Sequence, residues 1–225
     1  MGEWITSTML LNKSEFSETS LKAKVIELLL EAKDKLQHET VAVLYFNPSK
    51  KWAYLYSEDI VTAPTIPGME FDYDNVDFET FFAQPQSDYE EGARILSKHF
   101  ETTVICNHVY DGDELLMALS GEKSALYVWR PSFGRPSDYV GEYSMLANLE
   151  FEFEKWQPLL ECNEDEVLRV LADPDELETD RYKKLGRCLG YDERLWFYDY
   201  RCYEEIGEMF PEKLKEYSQI IIKSD

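Results

Sequence analysis

Hydrophobic residues near the start of the chain recur at helical spacing. Leu21, Val25 and Leu28 follow one another at intervals of three or four residues, with Lys, Glu and Asp between them. This pattern is typical of a helix that buries one face. Ser17 or Ser20 can cap its first turn, because a serine oxygen accepts a hydrogen bond from an amide that has no partner within the helix.

Three stretches before residue 60 have the character of strands. Residues 4–11, 40–46 and 51–56 are rich in β-branched, aromatic and other apolar side chains. The second and third stretches are separated by Asn47-Pro48-Ser49-Lys50, and these residue types favour a turn. The pattern predicts a first strand at 4–11 and a β-hairpin formed by the next two stretches.

The middle of the chain repeats the strand pattern three times, at 102–110, 114–119 and 124–129. Gly112 follows Asp111 in the first interval, and Gly121 follows Ser120 in the second. Glycine accepts the positive φ that tight hairpin turns require. These stretches therefore predict a three-stranded antiparallel meander.

Signals for helix ends divide the remaining sequence. Ser87 with Glu90, and Asn163 with Glu166, have the spacing of a capping box, in which each side chain satisfies a free amide at the helix start. Gly190 is placed to end a helix in the left-handed conformation. The predicted helices are one that starts at Pro85 and Ser87 and runs to about residue 100, then 163–172, 178–189 and a short one at 211–217, and a terminal strand is predicted at 219–222.

Strands cluster in a hairpin and a meander, while helices lie between them and after residue 143. This order predicts an α+β fold with a mainly antiparallel sheet and helices packed against it, rather than a doubly wound fold. A chain of 225 residues can bury a core of its own. We expect one compact domain over 1–225, with a seam for subdivision near 131–142, where proline and glycine are frequent.

Charge narrows the classes of partner. The chain has 45 Asp and Glu against 23 Lys and Arg, a net charge of −22. Nucleic acid and anionic lipid are bound by clustered Lys and Arg, so neither partner is expected. The first residues lack the basic and apolar regions of a signal peptide, and the four widely spaced Cys lack a Cys-x-x-Cys pair. We therefore expect a cytoplasmic protein with four reduced thiols.

One acidic segment alternates carboxylates with aromatic rings. Phe71, Tyr73 and Phe78 stand among four acidic residues. Carboxylates could hold a basic partner, and rings are common anchors at interfaces. The alternative is a solvated loop whose rings pack onto the core. The segment predicts a partner-binding site made of Asp72, Tyr73, Asp74, Asp77 and Glu79.

Other residues with reactive side chains lack the spacing that chemistry needs. Asp111, Asp113 and Glu114 are close together, but the apolar residues after them exclude an EF-hand loop. His38, His99 and His108 do not neighbour a carboxylate or another His at ligand spacing. Neither a nucleophile elbow nor a glycine-rich phosphate loop is present. No catalytic, cofactor-binding or metal-binding residue is predicted, and no cofactor.

The compact α+β organisation, the acidity and the segment 71–79 together resemble bacterial immunity proteins that neutralise polymorphic toxins, including the Smi1/Knr4-like group. The resemblance implies a non-enzymatic inhibitor that binds a basic toxin domain. Two alternatives belong to other classes. One is a small-molecule hydrolase or transferase whose carboxylates converge in the fold, and the other is an intracellular scaffold or regulator.

Overall fold

The computed structural model describes residues 5–37, 39–57, 85–110, 114–120, 124–129, 153–171, 178–195 and 214–224. Its strands are β1 (Ile5–Leu11), β2 (Val41–Phe46), β3 (Trp52–Tyr56), β4 (Val104–Tyr110), β5 (Glu114–Leu119), β6 (Ser124–Trp129) and β7 (Ser218–Lys223). Its α-helices are α1 (Glu18–Leu36), α2 (Pro85–Phe100), α3 (Phe153–Trp156), α4 (Glu164–Leu171) and α5 (Glu178–Cys188). Short 3₁₀ turns cover Gln157–Leu159 and Glu193–Leu195. The predicted α+β class is confirmed.

The seven strands form one sheet in the order β6-β5-β4-β1-β3-β2-β7. Every neighbouring pair is antiparallel. The predicted hairpin is β2–β3, and the predicted meander is β4–β5–β6. Strand β1 joins these two units because it pairs with β3 on one side and β4 on the other, and β7 extends the hairpin at β2.

The hairpin strands are buried on both faces, and the two faces differ in chemistry. In β3 the side chains alternate, so Trp52, Tyr54 and Tyr56 point to one side of the sheet while Ala53 and Leu55 point to the other. The aliphatic face packs against α1 and α2. The aromatic face packs against α3, α4, α5 and the two 3₁₀ turns. The core is therefore a three-layer arrangement with the sheet in the middle.

The helix ends confirm several local predictions. Ser17 caps α1, since its hydroxyl accepts a bond from Ser20 N at 3.1 Å while Ser17 N donates to Ser20 Oγ at 3.0 Å. Asn163 Oδ1 accepts from Glu166 N at 3.0 Å at the start of α4. Gly190, with φ of 71°, follows the end of α5 as predicted.

One predicted cap and one predicted helix end are wrong. Helix α2 begins at Pro85, the first of the two predicted start residues, so Ser87 lies inside the helix and is not its cap. Proline is well suited to a first helical position because its missing amide would have no partner there. Residues 214–217 form a turn instead of the end of a helix. Tyr217 N donates to Leu214 O at 2.8 Å, and the chain then enters β7 directly.

The strand register gives the sheet two distinct ends. Because Thr8 pairs with Leu55 and Ile5 pairs with Val109, the start of β1 lies beside the ends of β3 and β4. We call this the Tyr56 end and the opposite one the Trp52 end. Segment 58–84 follows β3 at the Tyr56 end, and segment 130–152 follows β6 there. None of the helices in the described ranges is long and apolar enough to cross a membrane.

Candidate functional site

The partner-binding residues predicted from sequence, Asp72, Tyr73, Asp74, Asp77 and Glu79, lie outside the described residues. So do the turn at Asp111 and Asp113 and the proposed seam at 131–142. The structure does describe where the chain enters the acidic segment. Ser57, its last described residue before 58–84, is buried and donates from Oγ to Val41 O at 2.6 Å.

The charge of the chain is unevenly divided. The described residues contain 21 Asp and Glu against 18 Lys and Arg, a net charge of −3. Since the whole chain has a net charge of −22, the remaining segments contribute −19. Segment 58–84 alone has seven acidic residues and no Lys or Arg. The acidity is therefore a property of the segments that join the packed elements more than of those elements.

A pocket of about 230 Å³ opens near the Trp52 end of the sheet, away from the point where segment 58–84 begins. It forms where the β2–β3 turn, the chain after α5 and the turn before β7 meet. Its lining includes Lys50, Trp52, Tyr54, Tyr191, Asp192 and Tyr217.

Asp192 is the most connected residue of this pocket. Its backbone amide donates to the Tyr54 hydroxyl at 2.6 Å, and its Oδ2 accepts from the Tyr217 hydroxyl at 2.9 Å. Its Oδ1 accepts from Arg194 Nε at 2.7 Å and from the Arg194 backbone amide at 3.1 Å. Burial opposes ionisation of this carboxyl, but the hydrogen bonds from Arg194 and Tyr217 outweigh it and lower its pKa.

The cations at the pocket mouth are engaged by acidic partners. Lys50 Nζ lies 3.0 Å from Glu216 Oε2 and 5.9 Å from the centre of the Tyr217 ring. Lys51 Nζ donates to Leu159 O at 2.6 Å and lies 3.2 Å from Glu161 Oε1. Lys50 therefore connects the hairpin turn to the turn before β7, and Lys51 connects it to the chain at the 3₁₀ turn Gln157–Leu159.

The walls of the pocket are buried rings packed edge to face. Trp52 lies 5.5 Å from Tyr191, and Tyr54 lies 6.4 Å from Tyr191 and 6.1 Å from Tyr217, measured between ring centres. Trp52 Nε1 donates to Leu189 O at 2.8 Å. Burial raises the pKa of Tyr54 and of Tyr217, so both hydroxyls stay protonated and act as hydrogen-bonding groups.

A second group of polar side chains lies deeper on the same face. Ser7 stands between Asn107 of β4 and Tyr56 of β3 in the sheet, and its Oγ lies 3.4 Å from both Asn107 Nδ2 and the Tyr182 hydroxyl of α5. Among the described residues, Asn107 Oδ1 and the hydroxyls of Tyr56 and Tyr191 have no hydrogen-bond partner.

Sequence reasoning missed the pocket because its parts are far apart along the chain. Trp52, Tyr191 and Tyr217 meet only through tertiary packing. The one local signal is Gly190, whose predicted helix-ending role fixes the chain direction immediately before Tyr191 and Asp192. Within the described ranges, no three His, Cys, Asp or Glu side chains are grouped closely enough to hold a metal ion.

Comparisons with models of protein families, with curated proteins and with solved structures give no match. The resemblance to toxin-immunity proteins therefore stays a prediction.

Proposed function

We propose that the protein is a non-enzymatic, acidic protein-binding protein, and that its partner is basic. In its most specific form the proposal is an immunity protein that inhibits a basic toxin domain. The proposed contact residues are Asp72, Tyr73, Asp74, Asp77 and Glu79.

The observation that supports this proposal best is the division of charge. The described residues have a net charge of −3, and the remaining segments contribute −19. An acidic surface made only for solubility would be expected to spread over exposed helix faces. Here α1 has four basic residues and four acidic ones, so its net charge is zero. Segment 58–84, with seven acidic and no basic residues, has the composition expected of a surface for a cationic partner.

We expect the carboxylates and the rings of this segment to act at different stages of binding. Charges act over a distance and accelerate encounter, so their effect weakens as salt shortens the screening length from about 10 Å at 0.1 M to about 3 Å at 1 M. A ring buried at an interface acts after contact and mainly slows dissociation. We assign the faster association to Asp72, Asp74 and Asp77, and the slower dissociation to Tyr73.

The test is binding kinetics of the full chain against the product of the neighbouring gene, at two salt concentrations. Replacing Asp72, Asp74 and Asp77 together by Asn is expected to slow association, and less so at high salt. Tyr73→Ala is expected to speed dissociation. The matched control replaces Glu27, Glu31 and Asp34 of α1, which are exposed, by Gln, Gln and Asn. This control removes the same number of charges from α1 and is expected to slow association less.

If the two triple variants slow association equally, the total charge of the chain determines the association rate, and segment 71–79 is not part of the interface. The immunity form of the proposal has its own readout, which is growth of cells that produce the neighbouring protein with and without this chain. If the neighbouring product neither binds the chain nor is neutralised by it, immunity is excluded. The enzyme and scaffold alternatives then take its place.

A further inference from the structure

The last strand on one side of the described sheet has an unusual edge. β7 has the sequence Ser-Gln-Ile-Ile-Ile-Lys and pairs only with β2 among the described strands. Ile221, in its middle, is 46% exposed. Proteins usually protect such an edge with proline, a bulge or several charges. Lys223 is the one charged residue in β7, and no register shift accompanies its pairing with β2.

The direction of the backbone groups of β7 follows from its pairing with β2. Ser224 N donates to Thr40 O at 2.9 Å, just beyond the strand. Hydrogen-bonded pairs alternate along an antiparallel ladder, so Ile222 and Ile220 also bond toward β2. The amide and carbonyl groups of Gln219, Ile221 and Lys223 therefore point away from the sheet. These three residues are arranged symmetrically about Ile221.

We propose that a second copy of this chain pairs with β7 in an antiparallel, two-fold symmetric manner, centred on Ile221. In this register Ile221 faces Ile221 of the other copy, and Gln219 faces Lys223. Each facing pair exchanges both of its hydrogen bonds, so the outward backbone groups of all three residues are satisfied. The two sheets then continue into one another across the dimer axis.

The choice of a second copy as occupant rests on this self-complementarity. The register that satisfies the backbone also places an exposed isoleucine against itself and a lysine against an uncharged glutamine, so like charges are not opposed. A strand pair alone is smaller than a stable interface, which buries about 1,200–2,000 Å². Helix α1 supplies the additional surface.

Helix α1 follows β7 along its length. Glu18 accepts a hydrogen bond from Ser218 at the start of the strand, and Lys33 Nζ donates to Ser224 O at 2.7 Å beyond its end. Leu30, three residues before Lys33 and so on the same side of the helix, is 44% exposed. A two-fold axis through Ile221 brings the two α1 helices to the same interface, and the exposed Leu30 then lies at that interface.

The experiment is sedimentation equilibrium of the full chain at micromolar to hundred-micromolar concentrations. The wild-type chain is expected to sediment at twice its mass of 26.5 kDa. Ile221→Lys and Ile221→Glu are each expected to sediment at the single mass, because residue 221 then faces its own charge. An equimolar mixture of these two variants is expected to recover the double mass, since Lys and Glu then oppose each other.

Control variants keep the test independent of folding defects. Leu168→Lys changes another exposed leucine, on α4, and is expected to leave the double mass unchanged. Gln219→Glu places a carboxylate opposite Lys223 of the other copy and is expected to tighten the dimer at least about twofold, while Gln219→Lys weakens it. A wild-type chain that sediments at the single mass overturns the proposal. So does a double mass that survives both Ile221 substitutions, or a mixture that stays at the single mass.

Discussion

The Tyr217 hydroxyl donates a hydrogen bond of 2.9 Å to Asp192 Oδ2. This bond connects the turn before β7 to the chain that leaves α5. Arg194 contacts the same carboxylate and also Glu216. Asp192 is therefore connected to the turn before β7 in two ways, directly through Tyr217 and indirectly through Arg194.

Asp192→Ala is expected to lower the free energy of unfolding by about 2–3 kcal/mol, because it removes charged hydrogen bonds and leaves Tyr217 without its acceptor. Tyr217→Phe, which removes only one of those bonds, is expected to cost about 1 kcal/mol. Urea unfolding followed by tryptophan fluorescence measures both values. Equal losses in the two variants would show that the Arg194 contacts add nothing.

Asp192 also gives stability a dependence on pH. Its pKa is lower in the folded protein than in the unfolded chain. Its contribution is therefore complete above the unfolded-state pKa and is lost as the pH falls through the folded-state pKa. Unfolding titrations between pH 6 and pH 3 are expected to show a smaller decline for Asp192→Asn than for the wild type. Identical slopes would contradict the assigned pKa shift.

Gly190 supplies a test of backbone geometry. Its φ of 71° is strained for other residues, and a Cβ there would overlap the Glu161 carboxylate. Gly190→Ala is expected to lower the free energy of unfolding by about 1–2 kcal/mol from the left-handed conformation, with a further loss from displacing Glu161 from Lys51. In a chain that already has Glu161→Ala, the same substitution is expected to cost only the conformational part. A double-mutant cycle in urea separates the two contributions, and a zero coupling energy would place Glu161 away from Gly190.

Tyr54 and Tyr56 form a matched pair on one strand. Both are buried on the aromatic face, but the Tyr54 hydroxyl accepts a bond from Asp192 N, whereas among the described residues the Tyr56 hydroxyl has no partner. Tyr54→Phe is expected to lower the free energy of unfolding by about 1–2 kcal/mol, because the partly buried Asp192 amide loses its acceptor. Tyr56→Phe is expected to be neutral or stabilising. The reverse ranking in urea melts would contradict the hydrogen-bond assignment.

Local features of the fold were predictable because their causes lie within a few residues. The Ser17 cap, the Asn47–Lys50 turn and the ending of α5 at Gly190 depend on side-chain and backbone chemistry that the sequence displays directly. The place of β1 between β3 and β4 was not predictable in this way. Thr8 pairs with Cys106 almost a hundred residues later, and no local pattern specifies that partner.

The same distinction applies to the sites. Segment 71–79 was recognised because its acidic and aromatic residues are contiguous, and its role stays a prediction. The pocket residues Trp52, Tyr191 and Tyr217 come from three separate elements, so their meeting depends on how the helical layer covers the aromatic face. The uneven division of charge could have been counted from sequence, but only after the element boundaries were known.

Thiol reactivity tests both the compartment and the packing. Cys106, Cys162 and Cys188 are all free thiols, and Cys106 and Cys188 are buried. Burial raises the pKa of Cys106 to about 12, and burial together with Cys162 raises that of Cys188 to about 12, so neither forms a thiolate readily at neutral pH. Cys162 is partly exposed and is expected to react with a thiol reagent in the native protein before Cys188 and Cys106, with Cys106 reacting only on unfolding. Mass spectrometry of timed samples gives the order, and denaturation without reductant is expected to release four thiols, Cys202 included. A Cys162→Ser variant is the control, since it should remove the labelling of Cys162 and leave the labelling of Cys106 unchanged. Fast labelling of Cys106 in the native state would contradict its place in the core, and fewer than four thiols on denaturation would contradict the reduced state.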